Sequence, residues 1–138
     1  MCNKDIRWKQ RFQNFEKAFL QLKDAVEKKS LNELERDGLL QLFKFSMELS
    51  WKIMENFLEE KGISFDKVTP KEVFRQAQQA GYITNVQTFI DGITLRNELS
   101  HNYNVQKFEK AVEEIRLNIF PALEQLYHFF IQEIKSEN

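Results

Sequence analysis

The sequence predicts an all-α protein: an antiparallel up-and-down bundle of four long helices plus a short one. Apolar residues recur at intervals of three and four along most of the chain, which is the spacing of one helix face. Only four glycines and two prolines occur in 138 residues, which favours few turns and long elements. The composition, 42% hydrophobic with thirteen Phe, is typical of a folded protein with a substantial core. We expect one domain covering residues 1–138.

The first predicted helix runs from about Asp5 to Lys28. Its large apolar residues are four, three, four, three and four positions apart, which places them on one stripe: Trp8, Phe12, Phe15, Phe19, Leu22 and Val26. Ser30 and Glu33 then form an S-x-x-E capping box, which predicts the start of the second helix.

The stretch between Gly38 and Gly62 fits two patterns. Apolar residues at every second position would suit a strand: Phe43, Phe45, Met47, Leu49, Trp51 and Ile53. A helical stripe fits the same stretch: Phe43, Met47, Trp51, Met54 and Leu58. No turn residue interrupts the run, and a strand of that length would be unusual. We therefore predict a helix with a wide apolar face that ends near Lys61, with Gly62 as the residue that terminates it.

A short third helix is predicted next. Thr69 has the position of an N-cap, Pro70 that of the first helical residue and Glu72 that of the third. The pattern stops at Gly81, and Asn85 is expected to cap the fourth helix.

The last helix is predicted to begin near Val105, with its own long apolar stripe: Phe108, Val112, Ile115, Ile119, Leu123, Leu126 and Phe130. Pro121 lies inside this helix, so we expect a kink or a break there. Because the stripes of the first and last helices are long, we expect some apolar surface to remain for a second subunit. The prediction is a homodimer, the commonest closed assembly.

Charge and cysteine content exclude several classes of function. The net charge of −1 provides no overall basic field for nucleic acid, although residues 1–29 carry a net +4 and residues 30–61 a net −3. We interpret the basic first helix as a solvated face. The one cysteine, Cys2, excludes an internal disulfide. No run is long enough to cross a membrane and the N-terminus does not resemble a signal peptide, so we expect a cytoplasmic protein.

One polar stretch, residues 96–103 (RNELSHNY), is not explained by core packing because Leu99 is its one apolar member. Arg96 continues the inward side of the fourth helix and offers a planar fork that suits phosphate. His101 is one of only two histidines, the residue type that most often serves as a general acid or base. Asn97 lies four residues before His101 and could hold one of its ring nitrogens. A helix that ends just before His101 would bring it and Tyr103 towards Arg96. The alternative is a helix end with a polar cap and no ligand.

These residues resemble a known family. Arg96-x4-His101-x-Tyr103 is similar to the R-x4-H-x-Y signature of HEPN domains, which are small helical bundles found beside minimal nucleotidyltransferases. Residues 43–52 (FKFSMELSWK) resemble the F-E-x-x-x-E-L-x-W-K segment of the nucleotidyltransferase substrate-binding proteins, as do residues 69–77 (TPKEVFRQA). Two positions depart from that pattern: Lys44, where an acid is expected, and Phe89, where Trp is expected.

The resemblance implies a homodimer whose partner is a separate small nucleotidyltransferase. That partner would use a nucleoside triphosphate and Mg²⁺, whereas this chain would hold no metal or cofactor and would bind nucleotide or acceptor through Arg96, Asn97, His101 and Tyr103. In related HEPN pairs the helical protein is instead a metal-independent ribonuclease toxin, silenced when its partner attaches AMP to the motif tyrosine. Carried over, Arg96 and His101 would be catalytic, RNA the substrate and Tyr103 the AMP acceptor. A structural dimer without ligand is a third alternative.

The resemblance leaves the roles of Glu48 and Lys52 open. They lie one helical turn apart in the second helix, either as a surface pair or as part of the site. The pattern of the sequence does not decide between these two interpretations.

Overall fold

A computed structural model of the chain describes residues 3–101 and 105–136, and both parts are helical without strands. The α-helices are α1 (Asn3–Glu27), α2 (Glu33–Glu60), α3 (Pro70–Gln79), α4 (Val86–Leu99), α5 (Val105–Glu114) and α6 (Phe120–Ser136). A π-helical segment, Ile115–Ile119, joins α5 directly to α6, so the three form one long final helix. The predicted all-α fold is confirmed. Within the described residues, no helix is long and apolar enough to span a bilayer.

The apolar stripe of α1 is buried inside the chain's own bundle. Trp8 packs edge-on against Phe57 of α2, with ring centroids 5.3 Å apart, and lies 5.7 Å from Phe130 of α6. Phe19 stacks on Phe120 at 5.3 Å. All six stripe residues of α1, and all seven predicted for the last helix, are at most 9% exposed. The expectation that these two stripes leave apolar surface for a second subunit is therefore wrong, because each covers the other and α2.

The stretch that fits both a strand and a helix is helical throughout, as α2. Its capping box lies two residues later than predicted: Asn32 is the N-cap, its side chain accepts from the Glu35 backbone N–H at 2.8 Å, and the Glu35 carboxylate accepts from the Asn32 N–H at 3.0 Å. Lys28 also donates to Glu35, which ties the end of α1 to the start of α2. Ser30 lies in the connection between the two helices.

Two glycines end helices as predicted. Gly62 has a φ of 85° and Gly81 a φ of 87°, the left-handed region in which a side chain is strained. The start of α3 is also confirmed, since the Thr69 hydroxyl accepts from the Glu72 N–H at 3.2 Å. Asn85 has the N-cap position of α4, but its side chain does not cap the helix; Gln78 instead accepts from the Val86 N–H at 2.9 Å.

Pro121 does not break the last helix. Proline lacks an N–H and its ring crowds the carbonyl four residues earlier. The wider π-helical turn, Ile115–Ile119, lies immediately before it, and the chain stays helical into α6. This turn also carries Arg116, whose Nε and Nη2 donate to the carbonyls of Val26 and Lys28 at 3.0 Å each. The guanidinium thereby caps the carboxyl end of α1.

Gly92 permits a close approach between α4 and α2. A Cβ at this position would lie 2.9 Å from Cε of Met47 and 3.4 Å from Cγ2 of Ile119. The missing side chain therefore brings α4 close to both α2 and the π-helical segment. One turn further along α4 is Arg96, so this contact helps to decide where its side chain lies.

We predict that Gly92→Val lowers the free energy of unfolding by about 1–3 kcal/mol, because its methyl groups overpack the contact with Met47 and Ile119. Gly38→Ala is the control. Nothing lies within 4 Å of a Cβ at Gly38, so alanine should stabilise α2 by about 0.5–1 kcal/mol. Urea unfolding measures both variants, and a Gly92→Val protein as stable as the parent would contradict the close approach.

Candidate functional site

The candidate site lies in the last turn of α4. Phe89 and Ile93 are buried on the inward side of this helix, and Arg96 follows on the same side with its side chain 32% exposed. Its position in the last turn is favourable, because a cation there opposes the negative end of the helix dipole. The Ser100 hydroxyl donates to the Arg96 carbonyl at 3.1 Å and helps to close the helix end.

Glu48 of α2 is the centre of a cluster of four side chains. Its carboxylate accepts from Nη2 of Arg96 at 3.0 Å, from Nζ of Lys52 at 3.1 Å and from Nε1 of Trp51 at 3.2 Å. The open question about Glu48 and Lys52 is thereby answered: they are a pair on α2, and the pair extends to Arg96. The cluster joins two helices through residues 48 positions apart in the chain.

The surroundings of Glu48 favour its charged form. Burial by itself raises the pKa of this carboxyl, but the hydrogen bonds from Trp51 and Lys52 and the positive charge of Arg96 outweigh it. The pKa of Glu48 therefore lies below its usual value. At neutral pH the three ionised groups of the cluster carry one net positive charge.

The other residues of the predicted site have different positions. Oδ1 of Asn97 accepts from Nη1 of Arg96 at 3.2 Å, so Asn97 contacts the arginine and not the imidazole of His101. His101 is exposed, just after α4, and its backbone N–H donates to the Glu98 carbonyl at 3.1 Å. Tyr103 lies outside the described residues.

Two clefts flank the end of α4. The larger, about 380 Å³, lies between α4 and α5 and is lined by Leu95, Glu98, Leu99, Lys107, Lys110, Ala111 and Glu114. The smaller, about 180 Å³, is lined by Asp37, Leu40, Gln41, Lys44, Leu99 and Phe108. Leu99 lines both clefts. Each cleft has apolar walls together with lysine and carboxylate side chains.

Sequence reasoning did not assign Glu48 to the site and did not identify Lys107 and Lys110. The signal for Glu48 was weak, because a Glu and a Lys four residues apart occur on many solvated helix faces. The lysines of α5 fit the polar face of an amphipathic helix equally well. Only the cleft that α5 forms with the end of α4 distinguishes them from other surface charges.

The fold and the site together define a helical bundle with an arginine-centred ion-pair cluster at the end of one helix. Residues 10–132 match the family described as "Nucleotidyltransferase substrate binding protein like". The chain belongs to that family, because the match covers most of its length.

Two further similarities accompany this assignment. The chain is 32% identical over 73 residues to the "Probable ribonuclease HepT" of Haemophilus influenzae (strain ATCC 51907 / DSM 11121 / KW20 / Rd), covering 51% of this chain and 50% of that protein. The chain thus spans about half the length of that relative. A crystal structure of a protein from Thermus thermophilus has the same fold, with a TM-score of 0.73 at 24% identity, over 81% of this chain and 94% of that one.

We predict that Glu48→Gln lowers the free energy of unfolding by about 1–3 kcal/mol at pH 7, because hydrogen bonds to a charged group are lost. The folded pKa of Glu48 is depressed, so its contribution is present above the unfolded value of about 4.3 and is lost as the pH falls through the folded value. The difference in the free energy of unfolding between parent and variant should therefore become smaller as the pH falls. Urea unfolding from pH 7 down to pH 3 measures this.

Glu124→Gln is the control for that experiment, since Glu124 of α6 forms no ion pair with any described residue. It should leave the stability of the protein nearly unchanged across the same range. If the difference in the free energy of unfolding between the parent and Glu48→Gln stays constant down to pH 3, the charge of Glu48 contributes nothing to folding.

Proposed function

We propose that this chain is the binding subunit of a two-component nucleotidyltransferase. It would pair with a separate small nucleotidyltransferase and bind nucleotide or acceptor at the end of α4. The observation that carries this proposal is the Glu48–Arg96 ion pair, which holds a half-buried guanidinium in the last turn of α4, five residues before the exposed His101. The family to which the chain belongs supports the choice of partner, because its name describes substrate binding for a nucleotidyltransferase.

The chemistry of Arg96 suits a phosphate group. A guanidinium has five N–H donors; one is used by Glu48, one by Asn97, and Nε is buried without a partner among the described residues. One N–H on each terminal nitrogen is left for a ligand. These two donors, together with the net positive charge of the cluster, suit the oxygens of a phosphate. The exposed imidazole of His101 follows α4 and adds ring nitrogens that can donate or accept a hydrogen bond.

The nucleotidyltransferase itself would supply the metal chemistry. Carboxylates on that protein would hold Mg²⁺ with the phosphates of a nucleoside triphosphate, as hard oxygen ligands do. A neighbouring reading frame with a G-S and D-x-D pattern is the partner to express with this chain. The binding subunit would orient its ligand through Arg96 and would hold no cofactor of its own.

We expect Arg96→Gln to weaken the binding of ATP or AMP to the co-purified complex about 10–100-fold, because charge-assisted hydrogen bonds of about 1.5–3 kcal/mol are lost. Isothermal titration calorimetry measures the dissociation constant, and circular dichroism checks that the variant is folded. Arg75→Gln is the matched control: Arg75 is exposed on α3, 3.6 Å from Glu72. Unchanged affinity in the Arg96 variant, or no affinity in the parent complex, would contradict the proposal.

A second candidate function is a metal-independent ribonuclease, favoured by the similarity to "Probable ribonuclease HepT". Arg96 would stabilise the charge that develops on the phosphate, and His101 would act as general acid or base. The same groups serve both candidates, since each requires a phosphate beside Arg96. In this case Tyr103 would be the residue to which the partner attaches AMP.

If the ribonuclease candidate is right, the purified chain cleaves RNA in the presence of EDTA, and His101→Ala lowers the rate by about 10²–10⁴ because a proton-transfer group is removed. His128→Ala is the control, as the chain's other histidine is exposed on α6. Mass spectrometry after incubation with the partner and ATP tests AMP transfer, with Tyr103→Phe as the blank. Equal cleavage by all variants would assign the activity to a contaminant.

A further inference from the structure

The smaller cleft begins one helical turn away from the Glu48–Arg96 ion pair on both helices. Its wall on α2 includes Lys44, four residues before Glu48, and its wall on α4 is Leu99, three residues after Arg96. Residues three or four positions apart are neighbours on one side of a helix. The smaller cleft therefore borders the ion pair, next to the guanidinium that the proposed function assigns to a phosphate.

The larger cleft has a different relation to the ion pair. It lies between α4 and α5, and none of its described lining residues belongs to α2, the helix that carries Glu48. Its lysines, Lys107 and Lys110, are exposed, whereas Lys44 is half-buried. A ligand whose phosphate contacts Arg96 thus meets the smaller cleft along both helices of the pair, and the larger cleft along α4 alone.

Lys44 has no ion-pair partner among the described residues. The Glu48 carboxylate accepts from Lys52, one turn after it, and from Arg96, but not from Lys44, one turn before it. The one carboxylate that lines the smaller cleft, that of Asp37, lies 4.0 Å from a guanidinium nitrogen of the adjacent residue instead. The three N–H donors of the Lys44 ammonium group are therefore available to an anion in the cleft.

The rest of the smaller cleft suits a planar ring with polar edges. Leu40, Leu99 and Phe108 form its apolar walls. Asp37 and Gln41 are exposed at its rim, one turn apart on α2. Carboxylate and carboxamide groups are the ones that pair with the amino groups and ring nitrogens of nucleobases. Apolar walls with a few polar groups at defined positions are typical of a small-molecule site.

We propose that the smaller cleft holds the nucleoside of a nucleotide whose phosphates lie between Arg96 and Lys44. The base lies against the apolar walls, and its polar edge meets Asp37 and Gln41. This inference rests on the proposed function, which assigns a phosphate to Arg96, and it adds a second cation and the position of the nucleoside. Because two separate cations border the cleft, the ligand class is a nucleotide with at least two phosphates, such as ADP or ATP.

Calorimetric titration of the full chain with ADP and, separately, with inorganic pyrophosphate tests the role of Lys44. We expect the parent to bind ADP at least about tenfold more tightly, because pyrophosphate has no nucleoside. Lys44→Gln should weaken the binding of both ligands about 10–100-fold, since charge-assisted hydrogen bonds are lost. Lys44→Arg keeps the charge and should retain most of the affinity. Lys110→Gln, in the larger cleft, is the matched control and should bind both ligands as the parent does.

Nuclear magnetic resonance of the full chain locates the nucleoside. ADP, but not pyrophosphate, should shift the side-chain amide signals of Gln41 and the methyl signals of Leu40. The methyl signals of Leu95 and Ala111, which line the larger cleft, should stay in place. Gln41→Trp, which fills the smaller cleft from its rim, should lower the affinity for ADP to that for pyrophosphate. Shifts confined to Leu95 and Ala111 would overturn the proposal.

Failure of this inference differs from failure of the proposed function. If Arg96→Gln loses ADP while Lys44→Gln and Gln41→Trp bind it as the parent does, the phosphate site stands and the smaller cleft does not hold the nucleoside. A parent chain that binds neither ADP nor pyrophosphate overturns the inference, and the titration of Arg96→Gln in the co-purified complex then decides whether the proposed function fails as well. Circular dichroism checks that each variant is folded.

Discussion

The ion pair between Glu48 and Arg96 is the interaction on which the candidate site depends. It connects α2 to the last turn of α4 over 3.0 Å and fixes the orientation of the guanidinium. A half-buried arginine without such a partner would have to recover the cost of leaving water by other means. Trp51 and Lys52 complete the hydrogen bonds of the carboxylate, so the cluster is satisfied on the α2 side and keeps spare donors on the arginine side.

The pair forms because the two helices are close, and the closeness has a steric cause. Gly92 has no side chain where α4 meets Met47 and Ile119. One turn later, α4 is still near enough to α2 for Arg96 to reach Glu48. The aromatic core holds the opposite side of α2, where Phe57 packs against Trp8 and Phe130. The aromatic core and the contact at Gly92 together determine which residues of α2 meet α4 and which remain on the surface of the bundle.

The two sides of α2 differ in exposure. The buried side anchors the helix in the bundle, whereas Leu34 and Phe45 on the outer side are exposed. The Glu48 cluster lies between these two sides, where α2 meets the end of α4. Both the binding subunit and the ribonuclease candidates require the same accessible guanidinium, so they differ in what His101 does and not in where the ligand lies.

Much of the helical structure follows from short-range patterns in the sequence. The stripe of α1, the N-cap at Thr69 and the glycines at the ends of α2 and α3 depend on residues within a turn or two of each other, and the structure confirms each of them. Two short-range signals were misleading. Ser30 and Asn32 both begin a capping pattern, and the helix starts at the later one. Pro121 predicts a kink or a break, and the helix is not broken there because a π-helical turn precedes the proline.

The sequence by itself determined that this chain is helical, where most helices begin and end, and that residues 96–103 contain an unusual set of polar groups. Only the tertiary structure decided that Arg96 binds Glu48, that Asn97 contacts the arginine, and that Phe45 points away from the core. The physical reason is the range of the interactions. Helix periodicity and capping are local, whereas the partner of a side chain 48 residues away depends on how closely two helices pack.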